Sequence, residues 1–575
     1  MERQLNKQAQ DMRSHRRMTR WWRQGATLAA VLVGSHATAQ TSAEITAQAG
    51  AARAAQQATF GPNEALMAEI RHQGAAKWLK QQMGLSVSRY TSGRGDAIHK
   101  QTQNVSFCSQ PAYSSATCWR DWYSTTPLLW DFYRNATQQP DQVRQRVAYA
   151  LQQIVVVSEL EVTGTYGFRY YYNTLLDNAL GNYRQLLKKV ALSPLMGAYL
   201  DNANNDKAAP NENFGRELMQ LFSVGTCLLN GDGSRVGANC TPTYDNELVR
   251  NYAYALTGWT YPAGGTTPWG CWPAGTNCPY FEGDMVPAPA RHDMAERRLL
   301  SGITVPAGSS PAQALELVLD SLMAHPNIAP FIGRQLIQHL VSSNPSPAYV
   351  QRVAAAFSSG RHAWGSTAFG TGQRGDLAAT VAAVLLDAEA RTANSARTAG
   401  KLREPALMMV ATLRALNGRT DGDALGYQWG EPLRQHLFRP PSVFNHFPPD
   451  YPVPGTALQG PAFGIHNANT AMERLNFLTY LLYWRGSAPN TGVPGALGTR
   501  VNLQPFEESA GDAAVLVERL SVLAVGGLLP PAMRDPVVAA VNTYTPQSHP
   551  ATWRAERVTQ AAFLVFASPV AQVQR

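Results

Sequence analysis

The side chains best suited to chemistry lie in two short stretches. Asp201-Asn202-Ala203-Asn204-Asn205-Asp206 leads into Pro210-Asn211-Glu212-Asn213-Phe214-Gly215-Arg216-Glu217, and Arg291-His292-Asp293 follows further along the chain. On a helical wheel Glu217 falls about 80° from the centre of the apolar stripe Phe214, Leu218, Leu221 and Phe222, with Asn213 beside it one turn earlier. Arg216 falls on the far face, near Glu212. A carboxyl at the edge of an apolar seam loses hydration, which raises its pKa and suits it to act as a general acid. Asp201 or Asp293 is then the ionised partner, with His292 and Asn213 binding or orienting substrate. That set fits glycoside hydrolysis, where two carboxylates flank the scissile bond, or a polysaccharide lyase with His292 as base. A second reading stays open: Glu217 pairs with an arginine such as Arg146 to lock buried helices, and His292-Asp293 caps a loop.

Other chemistries lack their residues. The twelve His form no HExxH or other close-spaced set, so no metal site is expected. No G-x-S-x-G places a nucleophilic serine, and no CxxC or CxxCH supplies a redox, thiolate-zinc or haem site. No cofactor is expected. Asn230-Gly231-Asp232-Gly233-Ser234 hints at calcium but lacks the spaced downstream Glu of an EF-hand. For substrate binding, the polar loop contributes Asn202 and the helix contributes Asn213 and Arg216. Aromatic and proline-rich loops add Trp259, Trp272 and His446.

These residues need elements to hold them. Asn211 to Gly225 reads as one amphipathic helix with an Asn-rich start and a glycine stop. Before it come three short helical pieces, Tyr170 to Leu180, Tyr183 to Leu192 and Pro194 to Leu200; after it, Thr243 to Leu256 forms a capped helix that delivers Trp259. Asp141 caps a helix with Val143, Val147, Ala150, Leu151 and Ile154 inward and Arg144 and Arg146 on its flanks. From Pro311 onward helix follows helix, including Leu377 to Leu386 capped by Asp376 and Glu404 to Leu416 with Pro405 in its first turn. Few period-2 strands and no repeat period are visible. The expected architecture is mainly α: one large interlocked multi-helix domain, 58–575, preceded by a helix-permissive segment at 40–57. Long disulfide-stapled loops are inserted near 86–124, 226–243 and 261–290.

Charge and cysteines point to export. Of the net +9, the first 39 residues supply seven Lys/Arg against two Asp/Glu, leaving +4 over the remainder. So dilute a charge argues against a nucleic-acid groove. Arg13 to Arg23 is a basic n-region, Gly25 to Gly34 is too short to span a bilayer, and Ala37-Thr38-Ala39 offers a cleavage site. Residues 1–39 therefore read as a cleaved leader to a periplasmic or secreted destination, with no membrane span after cleavage. Arg16-Arg17 raises the twin-arginine route, but Met18-Thr19 lacks the apolar residues that should follow, which favours Sec export. The six cysteines fall as local pairs, Cys108 with Cys118, Cys227 with Cys240 and Cys271 with Cys278.

Several segments together resemble the bacterial domain of unknown function 1800 family. They are ATFGP at Ala58 to Pro62, DQVRQRVAYALQQIVVVS at Asp141 to Ser158, NENFGRELMQLFSVG at Asn211 to Gly225, ALTGW at Ala255 to Trp259 and His292-Asp293. The resemblance continues through NPSPAYVQRVAAAF at Asn344 to Phe357, RGDL at Arg374 to Leu377, KLREP at Lys401 to Pro405, PPSVFNHF at Pro440 to Phe447 and SPVAQVQR at Ser568 to Arg575. It implies an exported, largely helical protein and no particular reaction. Family members often carry His where this chain has Phe222, which weakens any mechanism that needs that His, and an acidic residue where it has Val570. Two function classes follow: an enzyme acting on an extracytoplasmic polysaccharide, or a non-catalytic envelope or secretion protein working with a co-exported protein partner.

Overall fold

A computed structural model describes residues 42–394, 396 and 398–575 of the chain. The leader predicted at 1–39 lies outside them. Residues 43–575 form one compact unit made of helices, with four two-stranded ribbons of two or three residues per strand. Among the described residues no helix is long and apolar enough to cross a membrane. The segment Ser42–Ala58 is helical, and its Ala51, Ala52, Ala54 and Ala55 are buried in the common core.

The helices Thr126–Gln138, Gln142–Gln152, Ile328–Leu340 and Pro405–Ala415 make the centre. Pro405–Ala415 is buried on every side, as its apolar sequence requires. The turn at Ala58 to Pro62 presses against it so closely that a Cβ on Gly61 would lie 2.7 Å from Ala411 Cα, and Gly61 has a φ of 137°. Only glycine fits there. The buried Arg414 ties this junction together, donating to the carbonyls of Gly61 at 2.8 Å and Thr137 at 3.0 Å. The chain end joins the same centre, since Val573–Gln574 pairs antiparallel with Lys401–Leu402.

Local start signals behave unevenly. Asp376 caps Leu377–Leu386 through Ala379 N at 2.9 Å. The capped helix expected from Thr243 begins at Asn246, with Asp245 accepting from Leu248 N at 2.9 Å. Asp141 stands at the expected cap position, but its Oδ2 accepts from Ser88 N and from the Gln145 side chain instead of from the helix's own amides. The helix expected over Asn211 to Gly225 is regular only from Asn213 to Gln220. Beyond it, Phe222 N bonds Glu217 O and Gly225 N bonds Met219 O, a widened turn that ends with left-handed Gly225.

Candidate active site

The Asn213–Gln220 helix lies against Asn246–Ala255, where Gly215 lets the two backbones approach: a Cβ there would sit 3.3 Å from Ala253 N. This packing buries Phe214, Leu218 and Met219 and leaves Glu217 half-buried at the seam. Arg216 turns away and pairs with Glu212 at 2.8 Å. Glu217 Oε2 is buried with no hydrogen-bond partner, and burial raises its pKa above the 4.5 of a free glutamate, opposed by Arg216. Tyr199 and Tyr244 stand close enough to feel its charge. Burial pushes both phenols up to about 12, and the Tyr244 hydroxyl is likewise buried without a partner.

One turn before Glu217, Asn213 Nδ2 donates to Asp201 Oδ2 at 2.8 Å. Asp201 is exposed, in a left-handed turn (φ 57°), and also lies 3.4 Å from Asn211 Nδ2. Residues four apart on a helix share a face. Asn213 thus holds the exposed Asp201 carboxylate through its side chain, and the half-buried Glu217 follows it by one helical turn. The rest of the polar loop is used for structure: Asn205 bonds Asn211, Asn204 accepts from Thr260, and Asp206 pairs with Arg291 at 2.7 Å.

The other residues singled out in the sequence are dispersed. His292 is fully buried, Nδ1 on the Thr257 carbonyl at 2.8 Å and Nε2 enclosed without a partner. Asp293 is held bidentately by Arg297 at 2.6 and 3.1 Å, and that guanidinium stacks on Tyr254. Asn202 is buried with Oδ1 unpartnered, and Trp259 is a buried strand residue paired with Pro287. Trp272 is 81% exposed, on the loop closed by Cys271–Cys278. Cys108–Cys118 and Cys227–Cys240 are also bonded, and among the described residues no cysteine is free. Three such bonds belong to an oxidising compartment.

Arg146 does not reach Glu217. It is fully buried, donates from Nη2 to the His339 carbonyl at 2.5 Å, and lies over the rings of Phe60 and Tyr149. Its carboxylate neighbour is Glu404, which also acts on Lys401 and Arg474. Glu404 Oε2 accepts from Tyr149 Oη at 3.0 Å and Gln435 Nε2 at 2.7 Å, while Oε1 has no partner. Lys401 Nζ reaches the same His339 carbonyl at 2.7 Å; burial lowers its pKa to about 8, against the pull of Glu404. The His339 imidazole is held neutral by burial and by these cations. His446 belongs to this neighbourhood. It lines a recess with Tyr149 and Gln435 and is pushed down to about 4, first by burial and then by His436. A second recess is lined by Gln338, His339, Lys401 and Glu404. Each has room for about one water molecule. The sequence signal for this centre was the charge triplet Lys401, Arg403, Glu404 directly before a helix that is apolar apart from Thr412 and Arg414.

The chain matches the family described as Protein of unknown function (DUF1800) over residues 53–573. No curated protein matches it, and no solved structure does.

Proposed function

The chain belongs to the DUF1800 family, and from the geometry around Glu217 we propose that it is an exported, mainly α hydrolase acting on an extracytoplasmic polysaccharide. One observation carries this reading: Glu217 Oε2 is buried beside Tyr199 and Tyr244 without a hydrogen bond, and the nearest cation is turned to another carboxylate. Carboxylates that hold this fold are satisfied by an arginine or by N–H donors, as Asp293 is by Arg297, Asp387 by Arg352 and Asp376 by Ala379 N. In its protonated form Glu217 gives its proton to the glycosidic oxygen as the carbon–oxygen bond breaks. Asp201, held by Asn213, takes the proton of the attacking water or itself bonds the anomeric carbon; the anomer released tells which. Burial of His292 with Nδ1 on a backbone carbonyl favours this two-carboxylate version over a lyase with His292 as base. The three disulfides support delivery by a cleaved Sec-type leader to the periplasm or beyond.

The test is Glu217→Gln, assayed by release of reducing ends on a polysaccharide the parent cleaves. Turnover falls at least ~10²-fold while the thermal midpoint holds. If no polysaccharide is cleaved by the parent and the variant loses several degrees, the hydrolase reading fails. The chain is then a non-catalytic envelope or secretion protein, for which the exposed Trp269 and Trp272 would meet a co-exported partner.

A further inference from the structure

The C-terminal helices frame an open groove of about 590 Å³, lined among others by Trp484, Arg485, Arg500, Glu507 and Thr559. Its size lies within the ~300–1,000 Å³ of small-molecule sites, unlike the water-sized recesses beside Glu404. Helix Ala468–Leu482 ends at its rim, and the chain turns there through Arg485 in a left-handed conformation, φ 61°, followed by Gly486 at 71°. The turn closes the helix, with Gly486 N donating to the Tyr480 carbonyl at 2.8 Å, and it sets Arg485 at the groove. Trp484 beside it is 69% exposed.

The charges in this groove are unmatched. Among the described residues Arg485 has no ion pair, Arg500 makes only a 3.3 Å bond to the Ser487 carbonyl, and the Glu507 side chain has no partner. Half-buried arginines of this fold are held by carboxylates, as Arg519 is by Glu64 and Arg184 by Glu316, whereas Arg485 and Arg500 stand exposed at the groove. Two guanidiniums, a bare indole and one free carboxylate line a single groove. The indole offers a flat apolar face to a pyranose ring, the guanidiniums a fork for a carboxylate, and Glu507 an acceptor for hydroxyl protons. Glu507 also disfavours a phosphate polymer, which has only acceptors to offer it.

We propose that this groove binds a hexuronate unit of an acidic polysaccharide, with the sugar carboxylate on Arg485 and Arg500 and the ring on Trp484. This deepens the polysaccharide reading by naming an acidic glycan, and it shares no residue with the Glu217 site. Calorimetric titration of the full chain with trigalacturonate tests it. The parent binds, and weakens as NaCl rises from about 0.05 to about 0.5 M. Trp484→Ala binds at least ~10-fold more weakly. Arg485→Gly also binds at least ~10-fold more weakly, yet melts higher because glycine relieves the left-handed turn. Glu217→Gln binds as the parent does, so loss of the catalytic reading leaves this result standing. Absence of binding by the parent, equal binding of neutral maltotriose, tighter binding of an oligonucleotide of equal charge, or parent-like affinity in both groove variants would overturn it.

Discussion

Glu404 and Glu217 each keep one carboxyl oxygen buried without a hydrogen-bond partner, in opposite electrostatic settings. Around Glu404 the fold has gathered two donors on Oε2 and three cations, Arg146, Lys401 and Arg474, at the meeting point of its central helices. Around Glu217 it has supplied apolar packing and two phenols, and its neighbouring arginine faces elsewhere. A carboxylate ringed by cations in low dielectric is part of the scaffold, because removing it strands their charge. One that is desolvated without a cation does nothing for stability when ionised, and its proton is available for transfer.

The sharpest way to break the contrast is Glu404→Gln. Leaving Arg146, Lys401 and Arg474 buried without a counter-charge should lower unfolding stability by about 3–5 kcal/mol, read by urea denaturation. A loss under about 1 kcal/mol would show that the cations do not depend on Glu404. Next in size is a pH signature of Lys401. Its folded pKa of about 8 lies below the unfolded value of about 10.4. The unfolded chain therefore holds a proton that the folded one has lost, and stability rises with pH across that window and is lost as pH falls through about 8. The Lys401→Met variant lacks this slope, and parallel denaturation curves for parent and variant from pH 7.5 to about 10.5 would refute it.

The smallest effect is the stability change in Glu217→Gln. A folded pKa raised above 4.5 means that the parent loses stability as pH climbs past that value. The glutamine variant escapes the loss, so its thermal midpoint matches or exceeds the parent's at neutral pH and the difference closes near pH 4. Destabilisation at neutral pH instead would put Glu217 in the same class as Glu404.

The two sites were unequally legible. Glu217 could be found because its position relative to Phe214, Leu218 and Leu221 is a matter of helical period, and Asn213 follows from the i, i+4 rule. That His292 and Asp293 would be consumed by Thr257 and Arg297 could not be read from the doublet itself. Glu404 lay in plain view in KLREP, but its hydrogen-bond partners Tyr149 and Gln435 are 255 and 31 residues away. Arg144 and Arg146 look alike on the helix flank; packing leaves Arg144 half-buried and encloses Arg146 completely.

What the sequence determined by itself are features whose partners lie within a few residues: the capping of Leu377–Leu386 by Asp376, the glycine stop at Gly225, and the pairing of six cysteines across separations of 10, 13 and 7 residues. Their energetics are local, and the chain cannot avoid them. Which carboxylate meets a cation, which histidine is enclosed and which arginine is left bare beside Trp484 were decided only by tertiary structure. Burial and charge pairing depend on distant segments arriving together, and Arg146 meeting Glu404 rather than Glu217 is such an arrival.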